Sequence, residues 1–226
     1  MGEVDEDFIQ AAEHRPKLDT IEIEGIPLID LSVSDIKVKR DEVNAMGYHE
    51  GEHTKNVRDR KEVFDFLIKD PSFLPASPEP EDKQTRTLSN QWPENPLEFR
   101  EVCEEYAGEV EKLGYKLLEL ISLSLSLPSN RYHTYFEDHM TMMRFNHYPP
   151  YPCPELALGI GRHKDAGALT IVAQDYDGGL QVWSNEAYES VEHRVVVNSE
   201  KERFFDSGLL FPFSLRHGEA IGGTHG

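Results

Sequence analysis

The stretch TMMRFNHY at residues 141–148 decides the fold, because here the hydrophobic pattern changes to that of β-strands. Two segments of the same kind follow, ALTIVA at residues 168–173 and VEHRVVV at residues 191–197. Turn-forming residues such as Asp177-Gly178-Gly179 separate them. The second half of the chain is therefore predicted to be rich in strands, and the first half to be mostly helical and irregular.

The clearest helix signal lies between Asn95-Pro96 and Pro128. Asn95 suits the N-cap and Pro96 suits the first helical position. Apolar residues then recur at intervals of three or four, which predicts an amphipathic helix of about seven turns that packs against a sheet. The recurring positions are Phe99, Val102, Tyr106, Val110, Leu113, Leu117, Leu120 and Ser124. Upstream, the apolar run at residues 25–31 predicts one strand.

Composition narrows the range of functions. The 226 residues favour one large domain, and the formal net charge of −19 would repel nucleic-acid phosphates and anionic lipid surfaces. No nucleic-acid or membrane partner is therefore expected. Cys103 and Cys153 match no metal-binding spacing, and neither a leader nor a membrane-spanning run is recognisable. We expect a cytoplasmic monomer with free thiols.

One short motif suggests metal chemistry. His163 and Asp165 stand two residues apart, so on a strand their side chains lie on the same side. One more imidazole from another strand would make a set of two histidines and one carboxylate, which leaves positions open for further ligands and suits iron(II) oxygenases. Alone the pattern is weak, since His-x-Asp is common without a metal. His193, in an apolar strand, would by itself more often be a hydrogen-bonded core histidine.

Several motifs in one order add specificity. They are RFNHYPPYP (144–152), GRHKD (161–165), LT (169–170), GGLQV (178–182) and SVEHRVV (190–196). This series resembles that of the plant-type 2-oxoglutarate- and Fe(II)-dependent dioxygenases, a family that includes isopenicillin N synthase-like and flavonol synthase-like enzymes. The resemblance implies a mainly β fold with α: an incomplete double-stranded β-helix, or jelly roll, with an N-terminal helical region and one long backing helix.

The resemblance also implies the site. His163, Asp165 and His193 match the iron ligands of the family. Arg203 matches the arginine that binds the distal carboxylate of 2-oxoglutarate, and Tyr148 matches a hydroxyl that helps to hold the same co-substrate. The implied reaction uses molecular oxygen, oxidises a small plant metabolite, and releases succinate and CO2. Ascorbate is the expected reductant.

Three departures from the family pattern divide the chain. Residues 1–139 form the N-terminal, largely helical and irregular region, from which a helix–strand–helix segment is missing after Asp35. Residues 140–204 form the core, shortened because Trp183 follows Val182 where the family has further strands. Residues 205–226 form an unrelated tail, which a shift of reading frame would explain, and Phe205 stands where the family has serine.

Two hypotheses follow. The chain is an Fe(II)- and 2-oxoglutarate-dependent oxygenase, or it is a catalytically inactive remnant, truncated or alternatively spliced, of such an enzyme. The missing strands leave open whether His193 reaches the other two ligands, because every strand of a barrel is its neighbour's hydrogen-bonding partner. A ligand-binding jelly roll without redox chemistry would leave the ligand set and Arg203 unexplained.

Overall fold

The computed structural model describes residues 39–40, 45–76, 84–136, 140–174, 180–183 and 191–211. Three sequence predictions lie outside these ranges: the strand at residues 25–31, the turn at residues 177–179, and the end of the tail at residues 212–226.

The elements follow one another in a single order along the chain. They are β1 (Gly47–Glu50), β2 (His53–Thr54), β3 (Val57–Arg58), β4 (Glu62–Leu67), β5 (Ser72–Pro75), β6 (Thr85–Leu88), α1 (Glu98–Ser124), α2 (His133–Phe136), β7 (Met140–Tyr148), β8 (Leu158–His163), β9 (Leu169–Gln174), β10 (Leu180–Trp183), β11 (Glu192–Val196) and β12 (Arg203–Phe211). The described part of the N-terminal region thus contains six strands as well as the long helix, whereas the sequence predicted mostly helix. These strands have only two to six residues, too few to produce a clear hydrophobic period.

Five strands form an antiparallel sheet in the order β1-β4-β7-β12-β9. β12 pairs with β7 along its whole length, from Arg203 opposite Tyr148 to Phe211 opposite Met140. The opposite edge of β12 pairs with β9. Residues 205–211, where the resemblance to the family ends, therefore form most of an inner strand of the main sheet.

A smaller antiparallel sheet has the order β10-β11-β8. His193 in β11 lies directly opposite His163 in β8. The open question of whether His193 reaches the other candidate ligands is answered by this register, because it places the two imidazoles on adjacent strands. Residues of both sheets line one cavity, so the two sheets face each other across it.

Helix α1 packs on the outer face of the main sheet, against β12 and β9. Its buried positions are Phe99, Cys103, Ala107, Val110, Gly114, Leu118 and Ser122. The sequence predicted the helix and its length, but placed most of the buried stripe one residue away, and Leu113 and Leu120 are in fact about half exposed. No helix in the described ranges combines the length and apolar composition needed to cross a membrane.

Small residues explain the position of this buried face. A Cβ atom added at Gly208 of β12 would lie 2.7 Å from Val110 Cγ1, and one added at Gly114 of the helix would lie 3.0 Å from Leu210 Cδ2. Helix and sheet therefore approach closely where side chains are small, and the larger leucines are displaced to the flanks. The predicted cap is not made, since Leu97 holds the N-cap position without a side-chain hydrogen bond.

Candidate metal centre and its cavity

Three predicted ligands meet at one end of the small sheet. His163 ends β8, Asp165 follows two residues later, and His193 is the second residue of β11. Asp165 Oδ1 lies 3.5 Å from His163 Nε2 and 3.6 Å from His193 Nε2, and the three candidate ligand atoms all lie within 4.8 Å of one another. One metal ion could contact all three, with the remaining positions open toward the cavity.

Hydrogen bonds orient both imidazoles. His163 Nδ1 lies 2.8 Å from the carbonyl oxygen of Gly161, and His193 Nδ1 lies 3.0 Å from that of Val191. A carbonyl can only accept, so each Nδ1 carries the proton and donates it. Each Nε2 then points toward Asp165, and when it carries no proton it offers the lone pair that a metal ligand requires.

The charges of this cluster also suit a cation. A side-chain hydrogen bond with His163 is the main reason that the pKa of Asp165 is lowered, and it outweighs the opposing effect of burial. The same hydrogen bond with Asp165 is the main reason that the pKa of His163 is raised. Asp165 is therefore ionised at neutral pH. Without a metal, its negative charge stabilises the protonated form of His163.

The ligand cluster opens into a cavity of about 650 Å³. One part of its wall is apolar and comprises Met142, Ile160, Val172, Leu180, Phe205 and Leu209. The other part is polar and includes Arg40, Glu52, Lys55, Asp59, Lys61 and Arg144. A cavity of this size and mixed lining fits a small organic molecule.

The hairpin β2–β3 forms one rim of the cavity and is attached to the strand that carries His163. Asp59 accepts a hydrogen bond from Thr54 Oγ1 at 2.8 Å and another from the backbone N–H of Gly161 at 3.0 Å. A Cβ atom at Gly161 would lie 2.7 Å from Thr54 Cβ, so only glycine permits this approach. The glycine two residues before His163 thus has a packing role that the motif alone did not reveal.

Behind the rim lies a network of buried charges. Glu52 binds Lys61 Nζ at 2.7 Å and Arg144 Nη2 at 3.1 Å, and Arg144 also makes two hydrogen bonds to Asp65, at 2.7 and 2.8 Å. Burial acts to raise the pKa of Glu52, but the hydrogen bond with His49 and the charges of Arg144 and Lys61 bring it well below the ordinary value. Lys61 and Arg144 are therefore already neutralised by the protein.

The two predicted co-substrate residues lie together, opposite each other on adjacent strands of the main sheet. Tyr148 and Arg203 face each other in the register of β7 and β12, with 1 % and 9 % of their surfaces exposed. Arg203 Nη1 donates to the carbonyl of Val196 at 2.6 Å. Among the described residues, Arg203 Nε and the Tyr148 hydroxyl have no hydrogen-bonding partner. Buried donors without a partner fit an absent acceptor such as a carboxylate.

Phe205 separates this pair from the cavity. Alternation along β12 places Arg203 on the same face as Phe205, but neither Arg203 nor Tyr148 lines the cavity. Phe205 does line it, and its ring is stacked on that of Tyr148 with centroids 4.9 Å apart. The three candidate ligands thus fit iron well. Arg203 and Tyr148 are suitable donors for 2-oxoglutarate, but the ring of Phe205 lies between them and the cavity.

Sequence reasoning missed two groups. Asn146 lines the cavity with a buried Oδ1 that has no partner in the described part of the chain. Its position two residues before Tyr148 on a strand was the available signal, since such residues share a face. Lys55 and Asp59 were missed because β2 and β3 have only two residues each.

The comparisons with known proteins agree with this geometry. The model of the 2OG-Fe(II) oxygenase superfamily matches residues 139–182. Protein DMR6-LIKE OXYGENASE 1 of Arabidopsis thaliana is 39% identical over 148 residues, which cover 54% of this chain and 42% of the relative. Jasmonate-induced oxygenase 1 of Arabidopsis thaliana is 37% identical over 143 residues, or 50% of this chain and 36% of the relative.

A solved structure supports the fold. JOX2 in complex with 2OG, Fe and JA has a TM-score of 0.60 and 29% sequence identity, and the match covers 75% of this chain and 55% of JOX2. The predicted mainly β, jelly-roll fold is confirmed by this likeness and by the two facing sheets. Over the matched residues, the chain is similar to the 2OG-Fe(II) oxygenase superfamily and to its plant-type 2-oxoglutarate- and Fe(II)-dependent dioxygenases. It spans about two fifths of the length of the curated relatives that it matches.

Proposed function

We propose that this chain is an Fe(II)- and 2-oxoglutarate-dependent oxygenase that oxidises a small plant metabolite, with His163, Asp165 and His193 as its iron ligands. The observation that supports this most strongly is the convergence of the three ligand atoms within 4.8 Å, with both imidazoles oriented by backbone carbonyls. When bound, Fe(II) with 2-oxoglutarate and molecular oxygen would supply the oxidising power for attack on a C–H bond, with succinate and CO2 released.

The roles of the protein follow from its own groups. The Nε2 atoms of the two histidines and the Asp165 carboxylate hold the metal on one side. The hairpin fixed by Asp59 covers one rim, and the apolar wall keeps water from the substrate. Arg203 and Tyr148 are proposed to bind 2-oxoglutarate through their unpartnered donors, and ascorbate is the proposed reductant. The acidic charge and the unpaired Cys103 and Cys153 support a cytoplasmic monomer.

A second candidate is that the chain is a catalytically inactive remnant of such an enzyme. The observation that favours it is Phe205, whose ring lies on Tyr148 and forms the cavity wall in front of the proposed co-substrate residues. Under this alternative, iron binds but 2-oxoglutarate does not. The Phe205→Ser variant would then gain 2-oxoglutarate binding that the natural chain lacks.

Anaerobic titration of the full chain with Fe(II) and then with 2-oxoglutarate tests the proposal, because the ternary complex gives a weak visible charge-transfer band. We expect His163→Ala, Asp165→Ala and His193→Ala each to abolish stoichiometric iron binding, since each removes one ligand and little packing, while far-UV circular dichroism stays unchanged. The control is His53→Ala, which removes another imidazole from the same cavity wall and should leave iron binding intact. Iron binding that survives in His193→Ala would contradict the proposed ligand set.

Arg203 separates the two candidates. If it binds the distal carboxylate of 2-oxoglutarate, Arg203→Ala should weaken 2-oxoglutarate binding by about a hundredfold without removing iron. An unchanged affinity would limit Arg203 to its hydrogen bond with Val196. A natural chain that binds iron and shows no charge-transfer band with 2-oxoglutarate would favour the inactive remnant.

A further inference from the structure

The three candidate ligands are held by different parts of the fold. His163 and His193 lie on paired strands of the small sheet, and each ring is oriented by a carbonyl two residues earlier in the chain. Asp165 lies in the connection between β8 and β9, outside both strands. Sheet pairing does not fix a ligand in a connection, so the other contacts of Asp165 decide whether it meets the two histidines.

The connection that carries Asp165 is attached to the main sheet. The backbone N–H of Ala168 donates a hydrogen bond to the carbonyl oxygen of Leu210 in β12 at 3.0 Å. A Cβ atom added at Gly167 would lie 3.2 Å from the same oxygen, so a side chain there would crowd the contact. The backbone that follows Asp165 is therefore positioned by an inner strand of the opposite sheet.

Thr170 makes a corresponding contact with its side chain. It is the second residue of β9, it lies opposite Leu209 of β12, and it lines the cavity together with Asp165. The side chains of Thr170 and Asp165 are hydrogen-bonded to each other. An ionised carboxylate can only accept, so the Thr170 hydroxyl donates this bond. Thr170 thus joins the carboxylate ligand to the main sheet, whereas both imidazoles belong to the small sheet.

We propose that Thr170 is a positioning residue of the metal centre, whose hydroxyl holds the Asp165 carboxylate with one oxygen facing the two imidazoles. Asp165 Oδ1 lies 3.5 Å and 3.6 Å from the two histidine Nε2 atoms. The hydroxyl has one proton to donate, so it occupies one acceptor position of the carboxylate and restricts its rotation. The inference rests on the proposed function only for the identity of the metal.

Anaerobic titration of the full chain with Co(II) tests the inference, because the visible absorption of bound Co(II) reports the number and geometry of its ligands. Thr170→Val keeps the branched shape of the side chain and removes the hydroxyl. We expect it to weaken Co(II) binding by about tenfold or more and to change the Co(II) spectrum. Thr170→Ser keeps the hydroxyl and should bind Co(II) with the affinity and spectrum of the natural chain.

Ser207→Ala is the matched control, because it removes another hydroxyl from the same cavity wall, on the strand beside β9. It should bind Co(II) like the natural chain. If Thr170 only packs, Thr170→Val will lower the midpoint of thermal unfolding and leave the affinity and the spectrum unchanged. That result, an equal loss of affinity in Ser207→Ala, or a Thr170→Ser variant as weak as Thr170→Val would overturn the proposal. Far-UV circular dichroism identifies a variant that has not folded, and Thr170→Ala then replaces the valine variant.

A second measurement tests the same pair without a metal. Thr170→Val should lower the urea midpoint of the chelator-treated natural chain but not that of the Asp165→Ala variant, in which the acceptor is already lost. Equal shifts in the two backgrounds would show that the hydroxyl of Thr170 acts on another group, and the proposal would be wrong.

This proposal and the proposed function fail in different ways. A natural chain and a Thr170→Val variant that bind Co(II) equally would retain the iron ligands and remove the role of Thr170. A chain in which Thr170→Val weakens Co(II) binding, but in which Fe(II) and 2-oxoglutarate give no charge-transfer band, would retain the role of Thr170 and contradict the oxygenase. A natural chain that binds neither Co(II) nor Fe(II) would contradict both.

Discussion

Gly161 controls how closely the β2–β3 hairpin approaches the strand that ends in His163. A methyl group at this position would meet both Thr54 Cβ, at 2.7 Å, and Thr54 Cγ2, at 2.8 Å. Neither atom is the far end of a flexible side chain, so hairpin or strand would have to move. The two hydrogen bonds to Asp59 limit that movement.

Gly161→Ala is therefore expected to lower the free energy of unfolding by about 1–3 kcal/mol, as overpacking does elsewhere, and to weaken iron binding through displacement of His163. Urea denaturation and Fe(II) titration measure the two effects. Gly108→Ala is the matched control, because no atom lies within 4 Å of the added Cβ and the site is inside α1. It should raise stability by about 0.5–1 kcal/mol. If Gly161→Ala changed neither the free energy of unfolding nor iron binding, the hairpin would not be held against β8.

At the scale of elements, the attachment of α1 to β12 includes a buried polar pair. Tyr106 of the helix donates a hydrogen bond to Asp206 of the strand. Burial is the main cause of the raised pKa of Asp206, and the hydrogen bonds from Tyr106 and from the backbone of Ala173 only partly oppose it. The folded chain therefore favours the protonated form of Asp206 more than the unfolded chain does.

The sign of the pH dependence follows from that shift. A carboxyl group with a raised folded-state pKa contributes most stability below its unfolded pKa and loses it as the pH rises through the folded pKa. Asp206→Asn, which keeps an acceptor for Tyr106, should thus be more stable than the natural chain at neutral pH by about 1 kcal/mol and equal to it in acid. Tyr106→Phe should instead be destabilising, most strongly at neutral pH. Thermal unfolding across the pH range distinguishes these outcomes. If the stability difference between Asp206→Asn and the natural chain did not change with pH, the raised pKa of Asp206 would be contradicted.

Elements differed in how well the sequence predicted them. The period of α1 gave its existence and length, but the buried face follows Ala107, Gly114 and Ser122, small residues whose close packing an apolar period does not reveal. The spacing of His163 and Asp165 was enough to predict a shared side. His193 could be added only through resemblance to a family, because its partner strand is determined by sheet register and not by local sequence.

At the scale of the whole molecule, helix α1 has an exposed apolar surface. Leu113, Leu120 and Leu123 are 48%, 50% and 56% exposed on the described surface. Apolar groups gathered on one helix favour association and dye binding far more than scattered ones do.

The natural chain is expected to bind a hydrophobic dye such as anilinonaphthalene sulfonate. Leu120→Gln combined with Leu123→Gln should reduce dye binding, because it removes apolar area without touching the buried face of the helix. Leu156→Gln serves as the control, since Leu156 is 77% exposed at a separate position, between β7 and β8. Equal dye binding by the double variant and the natural chain would locate the apolar surface elsewhere.

Asp59 has a further consequence for motion. One carboxylate accepts hydrogen bonds from the hairpin, through Thr54, and from the strand of the metal centre, through Gly161. Loss of either bond leaves a charged acceptor only partly satisfied in a mostly buried place, so the two bonds are expected to break together. The hairpin cannot then act as a lid that swings while the metal centre stays still. Opening of the rim and loosening of the strand at His163 therefore form one cooperative event. Solvent would then exchange with the cavity at the same rate as the strand that carries His163 opens locally.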